Sequence, residues 1–136
     1  MAQRSDVDLL QDLLAREHRL LSAYEAALRR DAIDPALGRL LAAHERAHVA
    51  ALEQALAGRG NPVATVPAPD VTAALRDRRS FAEYAMNLEG ETVGFYSDSV
   101  PRIRDPKLRQ PLGSIMTCGA AHVVALKDSI GRFLVN

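Results

Sequence analysis

The chain predicts an all-α protein, a four-helix bundle made of two repeated helical hairpins joined by a long crossover. Two stretches are written twice: Glu17-His18-Arg19-Leu20-Leu21-Ser22-Ala23-Tyr24 returns as Glu89-Gly90-Glu91-Thr92-Val93-Gly94-Phe95-Tyr96, an offset of 72 residues. His44-Glu45-Arg46-Ala47-His48-Val49-Ala50-Ala51-Leu52 returns as Cys118-Gly119-Ala120-Ala121-His122-Val123-Val124-Ala125-Leu126, an offset of 74. A period of this size marks a duplicated supersecondary unit. The repeated polar residues are metal-binding types, whereas a repeat kept only for packing would repeat apolar ones. One position breaks the symmetry: Glu45 has become Gly119.

Helix one is expected from about Asp6, taken as its N-cap, to Arg30. Leu10, Leu13, Leu14, Leu20, Leu21 and Leu28 recur at helical spacing, with Glu17 and Tyr24 inside the same stripe. Helix two is expected to open at Asp34-Pro35, a capping carboxylate followed by proline in the first helical position, and to end near Gly58. Its stripe is Leu37, Leu41, Ala51, Leu52 and Leu56. Helix three is expected just after Asp70, with Ala82, Ala85, Met86, Val93, Tyr96 and Val100 on the face of Glu89, and Pro101 stopping it. Helix four repeats the opening of helix two at Asp105-Pro106 and carries Ile115, Leu126, Ile130 and Phe133 on the face of His122. Pro111 is expected to kink its first turns.

The connections set the topology. Residues 31–33 and 101–104 are short links, so each half should be an antiparallel hairpin, one over about 6–58 and the other over about 71–135. The crossover, 59–70, holds Gly60, Pro62, Pro67 and Pro69. About a dozen extended residues at ~3.3 Å each span ~40 Å, the length of a helix of two dozen residues at ~1.5 Å per residue. Helices two and three are therefore expected to run parallel, giving up-down-down-up order within a single domain over 1–136.

Composition excludes several classes of function. Seventeen basic residues balance seventeen acidic ones, so no net field draws the chain to nucleic acid or an anionic membrane. No apolar leader and no run of ~20 apolar residues is present, and a cytoplasmic location is expected. The single cysteine, Cys118, excludes an intramolecular disulfide and fits a reducing compartment.

The polar residues inside the stripes carry the chemistry. Glu17 is flanked by leucines at −7, −4, −3, +3 and +4, and Glu89 takes the same place in helix three. Glu45 and His48 share a face, and His122 repeats His48. A buried carboxylate without a partner costs several kcal/mol, and no lysine or arginine lies on these stripes, so a metal ion is the available partner. A buried polar network without metal is the competing reading for the same residues. Glu91, ~200° round the helix from Glu89, should face outward. Phe81, Leu88 and Phe95 read as core edge or a dimer seam.

On these residues the chain resembles the ferritin-like superfamily, the di-iron and di-manganese carboxylate bundles that include rubrerythrins and bacterioferritins. Their pattern is one Glu from each of two helices and Glu-x-x-His from each of the other two. It is matched here by Glu17, Glu89, Glu45-Arg46-Ala47-His48 and the incomplete Gly119-Ala120-Ala121-His122. The resemblance implies Glu17, Glu45, His48, Glu89 and His122 as ligands of iron, manganese or another divalent metal. Tyr24 and Tyr96 are implied as hydrogen-bond partners of the ligand carboxylates. His44, one turn before His48, reads equally as a second-layer or exposed residue and as a ligand. Cys118 reads as a small hydrophobe or a substitute ligand beside Gly119, where glycine leaves room for water or an external carboxylate. Oxidation of ferrous iron, or reduction of oxygen or peroxide, is the implied activity. A binding protein with one ion, or a metal-free helical interaction module, is the alternative. Three carboxylates against two divalent ions leave +1, and against one ion −1, so charge alone does not choose. No Cys-x-x-Cys module supplies electrons, so a peroxidase cycle would need an external reductant, and a monomer or homodimer is expected.

Overall fold

Four helices form in the computed structural model, which describes residues 4–59 and 67–134, with side chains up to residue 131. They are α1 (Asp6–Arg29), α2 (Pro35–Ala57), α3 (Arg78–Ser99) and α4 (Pro106–Leu134), with single 3-10 turns at Ala74–Arg76 and Val100–Arg102. No strand occurs among the described residues. Residues 60–66 of the crossover, and the side chain of Phe133, lie outside them.

Each helix starts where a short polar side chain takes up a free backbone N–H. Ser5, rather than Asp6, caps α1 by accepting from Asp8 N at 3.1 Å. Asp6 instead reaches across the bundle and accepts from the backbone of Arg104 (2.8 Å) and Asp105 (2.9 Å). Asp34 accepts from Leu37 N at 3.1 Å, ahead of Pro35, as expected. The third helix begins later than expected. Asp70 closes a local turn on Thr72, and Asp77, in extended backbone, accepts from Ser80 N at 2.7 Å and restarts the chain as α3. Aspartate with a hydroxyl residue nearby caps a turn as readily as a helix, and two such sites compete here. Pro111 falls inside α4 without ending it.

The ends of the helices fix their directions. Asp6, at the start of α1, meets the Arg104–Asp105 link, and Arg59, just beyond α2, pairs with Asp105 at 2.6 Å. At the opposite end Arg78, opening α3, pairs with Asp31, just beyond α1, at 3.0 Å. Helices α2 and α3 therefore run the same way, and the order is up-down-down-up. Asp31 turns the first hairpin with a φ of 54°, in the left-handed region that aspartate tolerates better than most side chains. Gly38 lets α2 close on α1: a Cβ there would stand 2.6 Å from Leu28 Cδ2 and 2.7 Å from Ile33 Cγ2.

Two apolar layers fill the interior. One holds Leu20, Tyr24, Ala27, Ile33, Leu41, Phe81, Ala85 and Leu126. The other holds Leu9, Leu10, Leu13, Leu14, Leu52, Leu56, Tyr96, Ile103 and Leu112. Residue spacing along α1 and α3 places Glu17 and Glu89 between them. Ala51, expected on the inner stripe of α2, is exposed. Phe81 is wholly buried against Tyr24, while Phe95 lies under the Arg16 guanidinium, 4.2 Å from its ring centre. Glu91 is exposed, as its angle on the helix requires.

Candidate metal centre

Five ionisable side chains from all four helices meet in the buried middle of the bundle: Glu17 (α1), Glu45 and His48 (α2), Glu89 (α3) and His122 (α4). All five were legible as inward-facing. Because α1 and α3 are antiparallel, the duplicated Glu and Tyr cross-pair. Tyr96 donates to Glu17 Oε1 at 2.6 Å, and Tyr24 donates to Glu89 Oε1 at 2.7 Å. Burial, reinforced by the neighbouring carboxylates, pushes both phenols well above the ordinary tyrosine range, so they remain donors.

The two histidines face the carboxylates through Nδ1. His48 Nδ1 lies 3.2 Å from Glu45 Oε2 and 3.7 Å from Glu17 Oε2. His122 Nδ1 lies 2.9 Å from Glu89 Oε1 and 3.0 Å from Glu45 Oε1. The donors fall into two sets, Glu17/Glu45/His48 and Glu45/Glu89/His122, each with its atoms within 4.8 Å of one another. Glu45 belongs to both. Donors ~2.0–2.2 Å from a shared ion stand roughly 3.0–3.5 Å apart; three of these four spacings are of that size, and that of His48 to Glu17 is longer.

Burial and close contact shift the proton affinities of this cluster. Burial disfavours an imidazolium, yet contacts with Glu17 and Glu45 outweigh it and push His48 up to about 10. The same balance, with Glu45 and Glu89, pushes His122 up to about 10. Burial raises Glu45 to about 8, with the neighbouring Glu17 adding to it and the two imidazoles opposing it. For Glu17 burial also pushes upward, but close contact with His48 and Glu45 and the hydrogen bond from Tyr96 win and hold the carboxyl below its ordinary value. Even so, Glu17 Oε2 and Glu45 Oε1 accept no hydrogen bond among the described residues, although both are fully enclosed. The 3.0 Å approach of Glu45 Oε1 to His122 is therefore a charge contact without hydrogen-bond alignment. Enclosed oxygens without donors, aimed at neighbouring carboxylates and imidazoles, fit a cation.

Two positions differ from the sequence expectation, Gly119 and Cys118. The space beside Gly119 is taken: a Cβ there would meet Val93 Cγ2 at 3.1 Å and Glu89 Oε2 at 3.4 Å. Cys118 is half-buried, not core, with Sγ 3.4 Å from His122 Nε2 and 3.7 Å from His44 Nδ1. His44 Nδ1 in turn lies 3.0 Å from His122 Nε2. The missed signal was in the repeat itself, because the offset of 74 makes His44 and Cys118 equivalent positions that must face each other across α2 and α4.

A family model for a ferritin-like domain matches residues 5–132. The chain belongs to the ferritin-like family. No curated protein and no solved structure gives a significant match. This ferritin-like chain is a four-helix bundle with a buried carboxylate and histidine cluster able to hold a metal ion, and with Gly119 where its own repeat has Glu45. Among its described residues no helix is long and apolar enough to cross a membrane.

Proposed function

We propose that this ferritin-like protein holds iron or manganese between Glu17, Glu45, His48, Glu89 and His122, and that the loaded centre oxidises ferrous iron or reduces oxygen or peroxide. The observation that carries this reading is the pair of three-donor sets sharing Glu45, each with its own carboxylate and its own imidazole. Bound iron or manganese would supply one-electron redox chemistry. Glu17 and His48 hold one position, Glu89 and His122 the other, and Glu45 lies between them. The tyrosines orient the acids: Tyr96 fixes Glu17 through Oε1, which leaves Oε2 without a hydrogen bond and available as a ligand. The leucine layers on either side keep bulk water out, which strengthens every charge interaction inside. Access lies between α2 and α4, which touch sparsely and where His44 and Cys118 are only half-buried.

The test is rapid mixing of anaerobically iron-loaded protein with oxygen or peroxide, following oxidant consumption. Wild type should consume oxidant faster than free ferrous iron, and Glu45→Gln, which removes the shared ligand charge, should not. Equal rates for the two would refute the reading. Gly119 favours a second reading, a protein that holds one ion without turnover, because the first hairpin supplies two carboxylates, Glu17 and Glu45, and the second only Glu89. One retained ion with no oxidant consumption would establish it.

A further inference from the structure

We propose that His44, Cys118 and His122 form a second metal site on the solvent side of the carboxylate centre, suited to a thiophilic ion such as zinc, and that the two sites share His122 through opposite ring nitrogens. The three donors come from α2 and α4, and their separations are 3.0 Å (His44 Nδ1 to His122 Nε2), 3.4 Å (Cys118 Sγ to His122 Nε2) and 3.7 Å (Cys118 Sγ to His44 Nδ1). An ion with ~2.0 Å bonds to nitrogen and ~2.3 Å to sulfur in tetrahedral geometry sets its donors roughly 3.3–3.6 Å apart, so the side chains need move only a few tenths of an ångström. The ring planes of His44 and His122 are within 8° of parallel, with centres 5.2 Å apart. His44 and Cys118 are half-buried, leaving a fourth position open to solvent. Thiolate with two imidazoles selects zinc-like ions over the oxygen-loving ions that suit the inner cluster.

The second ring nitrogen of His122 makes the two sites interdependent. A neutral imidazole has one lone pair and one N–H. With an ion on Nε2, Nδ1–H is held by Glu89 Oε1 at 2.9 Å, the carboxylate-histidine-metal relay that fixes ligand tautomers in zinc sites. With an ion on Nδ1, the proton moves to Nε2 and faces His44. A neutral His122 therefore serves one site at a time. Filling the outer site releases the thiol proton of Cys118 and the Nε2 proton of His122 to solvent and withdraws His122 from the inner set. The exclusion rests on the carboxylate centre binding iron, whereas the outer site does not.

Titration of the metal-free full chain with cobalt(II) reads the outer site through its thiolate-to-metal charge-transfer band. One equivalent should produce the band in wild type, Cys118→Ser and His44→Ala should each lose it, and Glu17→Gln, outside the set, should keep it. Absence of the band in wild-type protein with a reduced, titratable thiol would overturn the outer site, as would its persistence in His44→Ala. The second arm measures ferrous iron capacity with and without one equivalent of zinc. Zinc should remove one iron position in wild type and none in Cys118→Ser. An undiminished iron capacity in zinc-loaded wild type would overturn the sharing of His122. A cobalt band in a protein that takes up no iron at all would refute the carboxylate centre and leave the outer site standing.

Discussion

Removing the hydroxyl of Tyr96 should destabilise the metal-free protein about twice as much as removing that of Tyr24, although the two residues are copies of each other in the duplicated hairpin. Tyr96 gives Glu17 its shortest contact, 2.6 Å to Oε1, while Oε2 of the same carboxylate has no hydrogen bond and His48 stands back at 3.7 Å. Tyr24 donates to Glu89 Oε1 at 2.7 Å, but His122 Nδ1 faces the same oxygen at 2.9 Å, so that oxygen stays paired in Tyr24→Phe. A hydrogen bond to a charged group contributes about 1.5–3 kcal/mol and a replaceable one about 1 kcal/mol, with the penalty largest where a buried acceptor loses its donor. Tyr96→Phe should therefore cost about 2 kcal/mol and Tyr24→Phe about 1 kcal/mol. For a domain of this size that is roughly 8 °C against 4 °C in melting temperature. Urea unfolding of both variants, metal-free and saturated with divalent ion, is the assay. The gap should narrow when an ion takes up Glu17. Equal losses in the metal-free state, or a larger loss for Tyr24→Phe, would refute the account of how the two carboxylates are held.

Further tests address charge, packing and the broken repeat. In the metal-free fold His48 and His122 are pushed up to about 10 and Glu45 to about 8, so the folded state binds more protons than the unfolded chain above the ordinary values of 6.5 and 4.5. Their stabilisation is complete at the acid side and is lost as pH rises through about 8 to 10, whereas Glu17, held low, loses its contribution as pH falls below its ordinary 4.5. Melting temperature without metal should thus decline from pH 6 to pH 10, and loading with divalent ion at pH 7 should release about three protons per chain, measurable by calorimetry in buffers of different ionisation enthalpy. Gly38→Ala should cost about 1–3 kcal/mol, against the usual helical preference for alanine, because its Cβ would collide with Leu28 and Ile33, while Gly94→Ala, facing open space, should stabilise by about 0.5–1 kcal/mol in urea titrations. Gly119→Glu should weaken the metal-free fold by about 1–3 kcal/mol through contact with Val93 and like charge against Glu89, and tighten divalent ion binding. Adding Val93→Ala should recover part of the stability, as thermal melts and ion titrations would show.

Most of this architecture was legible because duplication supplied two readings of each feature. Asp34-Pro35 and Asp105-Pro106 mark helix starts that the structure confirms, and the leucines around Glu17 imply the burial it has. Directions followed from link lengths alone. What escaped the sequence was local competition and cross-helix detail. Ser5 and Asp6 offer the same capping chemistry one residue apart, and only the distant Arg104–Asp105 backbone decides which of them turns away. Asp70 and Asp77 posed the same ambiguity for α3. At the candidate site the five buried donors were found from helical phase, but phase says nothing of which ring nitrogen faces inward. The contact of Cys118 with two imidazoles needed the α2–α4 approach. Gly119 misled for a related reason: a missing side chain suggests space, and here a neighbouring valine and carboxylate occupy it.

Metal stoichiometry tests the central claim most directly: elemental analysis of protein purified without a chelating tag, before and after anaerobic loading with ferrous iron, for wild type and for Glu17→Gln combined with Glu89→Gln. Two ions per chain in wild type, falling below one in the double variant while its helical content is unchanged, is the predicted result. Wild-type protein that retains no iron or manganese under these conditions would contradict the account and identify the buried carboxylate and histidine cluster as a metal-free polar network.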